Sequence, residues 1–154
     1  PGIVNAFHQA VLAYTEPGDG VILLTPVYYP FSFAVSRNDR KEVRCPLVNI
    51  NGRYEIDYEA LVQGAKEYGK VLELNNHSLD PNCNRENAVE NDTVMLNLCK
   101  KYQVPVVMDS DAHFDLLIGE FDLARKLLTK LDFPEELVLN RSADAIKEYV
   151  NRRF

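Results

Sequence analysis

Val104-Pro105-Val106-Val107-Met108-Asp109-Ser110-Asp111-Ala112-His113 is the stretch whose reading decides the fold. Four apolar residues, mostly β-branched, run without interruption into two carboxylates and an imidazole. An unbroken apolar run of this length suits a strand buried on both faces, as parallel strands are. In open α/β sheets and β/α barrels, ligands gather just beyond the carboxyl ends of the strands. Asp109, Asp111 and His113 therefore stand where such folds keep their chemistry.

Working outward, strand-like and helix-like segments alternate. Ile3, Phe7, Val11 and Tyr14 mark one face of a helix. Glu16-Pro17-Gly18-Asp19-Gly20 breaks it, and Val21–Leu24 reads as a short buried strand. A short helix starts near Pro30, a second strand runs from about Glu42 to Val48, and Asn51-Gly52 signals a turn. Asp57 is the clearest N-cap in the chain, with Ile56 and Leu61 at the hydrophobic-staple positions and Gly69 as the left-handed residue past the helix end. Val71–Leu74 reads as the third strand and ends in Asn75-Asn76-His77. Met95, Cys99 and Tyr102, with Leu98, define a long helix, and the opening stretch is the fourth strand. Leu123, Leu127, Leu128 and Leu131 line the next helix, Leu137–Leu139 reads as a fifth strand, and Ser142 caps a last helix. This alternation with short connections predicts an α/β fold: a three-layer α-β-α sandwich around a mainly parallel sheet of about five strands, in one domain spanning residues 1–154.

Composition narrows the partners. The 154 residues suit one domain with a proper core, and the net charge of −6 disfavours nucleic acid. No apolar run approaches the roughly 18 residues of a membrane span, so no membrane partner is expected. Three scattered cysteines form no CxxC pair, which reads as reduced thiols in a cytoplasmic setting. The chain enters a helical pattern directly after Pro1-Gly2, as an excised segment would.

Two resemblances emerge from the motifs. PGIVNAF, TEPGDGVILLTPVYYPF and NGRYEIDYEAL, within residues 1–72, resemble the large domain of fold-type-I pyridoxal-phosphate enzymes, in particular the aminotransferase-like C–S β-lyases. That resemblance implies a ring-stacking role for Tyr28 and a pyridinium-pairing role for Asp109. It also implies a Schiff-base Lys and phosphate-binding residues that have no counterpart here. LELNNHS, REN, VPVVMDSDAH and FPEELVLNRS, within residues 72–154, resemble the C-terminal part of a PHP-family (polymerase and histidinol phosphatase) metal-dependent phosphoesterase. That resemblance implies metal-ligand roles for Asp111 and His113. His77 stands where the family usually has a small or hydroxyl residue.

Carboxylate and imidazole are suitable ligands for zinc or manganese, and Asp111, His113 and His77 are the candidate set. The same pattern also suits a polar strand end with a hydrogen-bonded His and helix-capping carboxylates. Because both resemblances lack most of their active-site residues, the expectation is a chimeric, engineered α/β scaffold joined near residues 71–76, without evolved catalytic activity and with no catalytic residue assigned. The alternatives are a partial PHP-like phosphoesterase with residual metal binding and a pyridoxal-phosphate-binding remnant. No cofactor is expected beyond weak zinc or manganese. Surfaces bared by truncation favour a homodimer.

Overall fold

The computed structural model describes residues 2–151, which form two compact units divided between Tyr68 and Gly69.

In the first unit, helix α1 (Ile3–Tyr14) leads to strand β1 (Gly20–Thr25), helix α2 (Tyr29–Ser36) and strand β2 (Lys41–Pro46). A hairpin of β3 (Val48–Ile50) and β4 (Arg53–Glu55) follows, then helix α3 (Tyr58–Glu67). β1 and β2 pair in parallel from Gly20 opposite Lys41 to Thr25 opposite Pro46. Val11, Leu23, Ala34, Val35, Val62 and Ala65 are the buried centre of this unit. The apolar stripe of α1 is packed only in its middle, since Ile3 and Tyr14 are 71% and 78% exposed while Val11 is 4% exposed.

Local chemistry explains the boundaries. The Asp57 carboxylate accepts from the Ala60 N–H at 3.0 Å, and Gly69 beyond the helix end takes φ +59°. Asn51 and Gly52 both have positive φ, which the tight turn between β3 and β4 requires. Gly20 is fixed by close approach: a Cβ there would lie 2.3 Å from the Tyr68 ring.

In the second unit, strand β5 (Leu72–Asn75) is followed by a single 3-10 turn (His77–Leu79), helix α4 (Ala88–Tyr102) and strand β6 (Val106–Asp109). A 3-10 turn at Asp115–Leu117 precedes helix α5 (Asp122–Lys130); two further turns, Glu135–Leu137 and Leu139–Arg141, precede helix α6 (Ala143–Asn151). β5 and β6 are parallel, with Leu72 opposite Val106 and Asn75 opposite Asp109. Leu74, Leu96, Cys99, Val104, Val106 and Ala124 are fully buried around them. Burial pushes the Cys99 thiol up to about 12, so it packs as an apolar group. The Ser142 hydroxyl accepts from the Ala145 N–H at the start of α6, as expected of a cap.

The structure is mixed α/β, but in place of the single sheet of about five strands the described residues form three two-stranded sheets, two parallel and one antiparallel. Two local causes stand out. After β2 the chain turns into the β3–β4 hairpin within the same unit. The expected strand at Leu137–Leu139 is instead split between two 3-10 turns, with one parallel bridge from Val138 to Val106. Asn140 replaces the missing strand: its Oδ1 accepts from the Met108 N–H at 3.0 Å and its Nδ2 donates to the Met108 carbonyl at 2.8 Å. Arg141 meanwhile donates to the carbonyls of Glu136 and Val138, which a ladder would otherwise use.

Among the described residues no helix is long and apolar enough to cross a membrane. Asp57→Ala should lower stability by about 1 kcal/mol, the usual worth of an N-cap, and thermal melting against wild type measures it.

Candidate functional site

The register of β5 against β6 ends both strands at one level. The Asn76 N–H, one residue past β5, donates to the Asp109 carbonyl at 2.7 Å. Asn76 is buried, and its Oδ1 accepts from the Ala124 N–H of α5 at 2.9 Å. Asn75 Oδ1 in turn accepts from the Ser78 N–H at 2.9 Å. These three bonds leave the chain no freedom in how it departs from β5, and His77 is delivered to the cleft beyond the strand ends.

That cleft has a volume of about 500 Å³ and is lined by His77, Asp80, Asn82, Cys83, Asn84, Arg85, Asp111 and His113. The imidazoles of His77 and His113 lie with ring centroids 5.3 Å apart and planes inclined by 46°. Asp111 takes the left-handed region at φ +49°, and its carbonyl lies 2.8 Å from His113 Nδ1. A carbonyl can only accept, so Nδ1 is the donor, and in the neutral imidazole this leaves the lone pair on Nε2. This is the arrangement that orients a metal-binding imidazole through its other nitrogen.

The Asp111 carboxylate turns the other way. Its Oδ2 lies 3.6 Å from Arg85 Nη2, and Arg85 Nη1 donates to the Oγ of buried Ser78 in a short hydrogen bond. Asp80 accepts from both the backbone and side-chain N–H groups of Asn82, at 2.8 and 2.9 Å. Those bonds, with a smaller contribution from His77, hold its carboxyl below the usual carboxylate range.

The candidate set tests only in part against a divalent cation. Zinc–nitrogen bonds of about 2.0–2.1 Å in a tetrahedral site place two ligating rings with centroids about 5–6 Å apart, and the His77–His113 pair meets that spacing. The third donor is disengaged, since Asp111 faces Arg85. Among the described residues no three His, Cys, Asp or Glu side chains converge on one point. The chain thus presents an imidazole pair, one carboxylate held nearby, and a guanidinium in the same cleft.

The pyridoxal-phosphate candidates are described each within its own unit. Tyr28 belongs to the first unit, is 58% exposed, and meets Tyr29 and Phe31 with centroids at 5.3 and 5.9 Å. Asp109 belongs to the second unit, exposed at the end of β6. The third histidine, His8, lies half-buried on α1 with its Nδ1 3.1 Å from Asn38 Nδ2.

Comparison with known proteins bears on this site. No protein-family model matches the chain. It is 45% identical over 100 residues to a probable phosphatase of Caldicellulosiruptor saccharolyticus, covering 65% of this chain and 41% of that protein. It is 41% identical over 103 residues to a probable phosphatase of Acetivibrio thermocellus (67% and 42%), and 36% identical over 127 residues to one of Caldanaerobacter subterraneus subsp. tengcongensis (77% and 49%). The chain thus spans less than half the length of these relatives. Among solved structures it is similar to the pyridoxal-phosphate-containing cystalysin of Treponema denticola (30% identical, 70% of this chain and 27% of that one, TM-score 0.49). It is also similar to a C–S lyase of Staphylococcus hominis (26% identical, 70% and 27%, TM-score 0.48).

These relatives overturn the expectation of an engineered scaffold without evolved activity. The phosphatase likeness is shared with natural proteins of several bacteria. Each matched stretch is longer than either side of residues 71–76, so the likeness runs across them. A phosphoesterase reading fits better than a designed hybrid.

One further carboxyl of the second unit is perturbed. Burial, reinforced by Glu73 and opposed by Arg85, raises Asp92 on α4 from 3.8 to about 6. A carboxyl raised in the folded state binds a proton there that the unfolded chain has lost, so this group's contribution to stability falls as pH rises from about 4 to 6. The full shift would be worth ~3 kcal/mol, and the partial exposure of the group reduces it to about 1 kcal/mol. Asp92→Asn should therefore melt above wild type at pH 7, and the gap should shrink as pH falls towards 4.

Proposed function

We propose that the second unit carries part of a cation-assisted phosphoester-hydrolysing site, with His77 and His113 as its imidazole donors, Asp111 as its carboxylate and Arg85 as its resident positive charge. The observation that carries this reading is the imidazole pair itself: 5.3 Å between centroids, with the His113 tautomer set by the Asp111 carbonyl. The likeness to proteins named probable phosphatases, over about two thirds of the chain, supports the same class of chemistry.

Each residue has a defined part. His113 offers Nε2, because Nδ1 is committed to the backbone. His77 approaches from the turn after β5, and its ring lies beside that of His113. Asp111 supplies negative charge beside them. Asp80, held in its charged form by Asn82, raises the negative potential of the cleft and favours a cation there. A divalent ion bound at this place would polarise a phosphoryl oxygen and activate a water. The chain spans less than half the length of these relatives, and the residues named here are proposed as part of a site.

Zinc or manganese titrated into the full chain should raise its melting temperature, as any ligand of the native state does. Stabilisation is about 2.7 kcal/mol when the free ion reaches ~100 times its Kd. The double substitution His77→Ala, His113→Ala should abolish the rise. A melting temperature that ignores both metals, or a rise that survives the double substitution, would refute the reading.

A further inference from the structure

We propose that the cavity between α5 and β6 is a nucleotide site, which takes the base of a nucleoside monophosphate against Phe121 while Arg125 and Lys126 of α5 hold its phosphate. It shares no lining residue with the cleft of His77 and His113, so it stands apart from the reading of that cleft.

The cavity has a volume of about 510 Å³, within the ordinary range for small-molecule sites. Met108 of β6, Leu128 of α5, Val138, Phe121 and Phe133 supply its apolar lining. Met108, Leu128 and Val138 are buried, whereas Phe121 and Phe133 are only half-buried. The backbone on both sides is fixed. The Phe133 N–H donates to the Leu128 carbonyl at 3.0 Å, and the Phe121 carbonyl accepts from the Arg125 N–H at 2.9 Å. A hollow lined by aromatic side chains suits a flat ring, and stacking on such side chains tolerates any base.

The polar groups divide into committed and available ones. Asn140 spends both ends of its amide on Met108, and Arg141 donates to the Glu136 and Val138 carbonyls. Arg125 is exposed, and its guanidinium stands over the Phe121 ring at 5.9 Å from the centroid. Contact with a ring face spends no N–H donor, so the fork that matches phosphate oxygens is kept.

Charge points the same way. A second groove adjoins the cavity along α5, with Lys126 and Lys130 in its wall and Arg125 and Thr129 lining both. Arg125 and Thr129, like Lys126 and Lys130, are i, i+4 neighbours, so the three cations lie on adjoining rows of one helix. With Arg141, cavity and groove carry four basic groups against three acids, Asp122, Asp132 and Glu135. One of those acids, Asp132, lies 3.7 Å from Lys100, which lines neither. On a chain of net charge −6 an anion must be met by local positive groups, and α5 supplies them. A guanidinium fork with a lysine beside it suits a phosphate monoester, which is close to dianionic at neutral pH. A single ribose spans the gap between Phe121 and Arg125, which is why ring and phosphate belong to one ligand.

Calorimetric titration of the full chain with adenosine monophosphate (AMP) tests this, in buffer containing EDTA so that no cation in the other cleft contributes. AMP should bind about tenfold tighter than either adenosine or inorganic phosphate, because each of those keeps only half of the contacts. Arg125→Gln removes an exposed charge; it should weaken AMP about tenfold and leave adenosine unchanged. Phe121→Leu keeps apolar bulk without a ring face, and should weaken AMP and adenosine alike, by about tenfold. The double substitution His77→Ala, His113→Ala should bind AMP as wild type does. A purely structural role for Arg125 would not separate AMP from adenosine. The proposal is overturned by no AMP binding, by AMP no tighter than adenosine or phosphate, or by wild-type AMP affinity in R125Q or F121L. Loss of AMP binding in the double histidine variant also overturns it, because the ligand would then occupy the other cleft.

Discussion

Everything at the candidate site depends on the register of β5 on β6. Asn75 stands opposite Asp109, and the next residue, Asn76, donates its N–H to the Asp109 carbonyl. A parallel ladder slipped by one residue would send alternate side chains to the opposite face. It would also separate the two turns that carry His77 and His113. The register is pinned from inside, because Leu74 and Val106 are fully buried and cannot exchange places with exposed Glu73 without placing charge in the core. Asn76 adds a second constraint by accepting from the α5 backbone in a buried hydrogen bond. Hydrophobic burial thus determines a polar geometry several residues away.

The electrostatics follow from this arrangement. The strand ends bring together two imidazoles, the carboxylates of Asp80 and Asp111, and one guanidinium, in a cleft that is open to water. Asp111 sits at the junction, with its carbonyl facing one functional group and its carboxylate the other. The left-handed backbone at this residue is what allows the two groups to diverge. Asx residues tolerate that region better than most, so an aspartate here serves both the turn and the charge.

Much of the local structure was legible in the sequence, because it rests on short-range rules. The Asp57 cap, the Gly69 terminator, the Asn51-Gly52 turn, the Ser142 cap and the strand leading into Asp109 each have a cause within a few residues. The long-range pairing was not. The apolar run Leu137–Leu139 has the right composition for a strand, but the Asn140 side chain takes the Met108 hydrogen bonds that a strand backbone would have made. Of the site, His77, Asp111 and His113 could be named from their positions at strand ends. Arg85, Ser78 and Asp80 could not, since the polar loop joining β5 to α4 carries no periodicity that points inward. The Arg85-Glu86-Asn87 run was the available signal, and only the fold shows that its arginine returns to the cleft. The expectation of a designed hybrid failed for a related reason: two incomplete sets of family residues look like a fusion in one sequence, whereas natural relatives carry the phosphatase likeness across residues 71–76.

The central claim is that strand register delivers His77 and His113 to one ion, with His113 already in the tautomer that can bind it. Nitrogen-15 NMR of the histidine rings, recorded before and after one equivalent of zinc, tests this most directly. The account predicts a His113 ring protonated at Nδ1 beforehand and a simultaneous shift of one nitrogen on each of the two rings as zinc is added, with His8 unmoved. A His113 ring protonated at Nε2 alone, or a shift confined to one of the two rings, would contradict it.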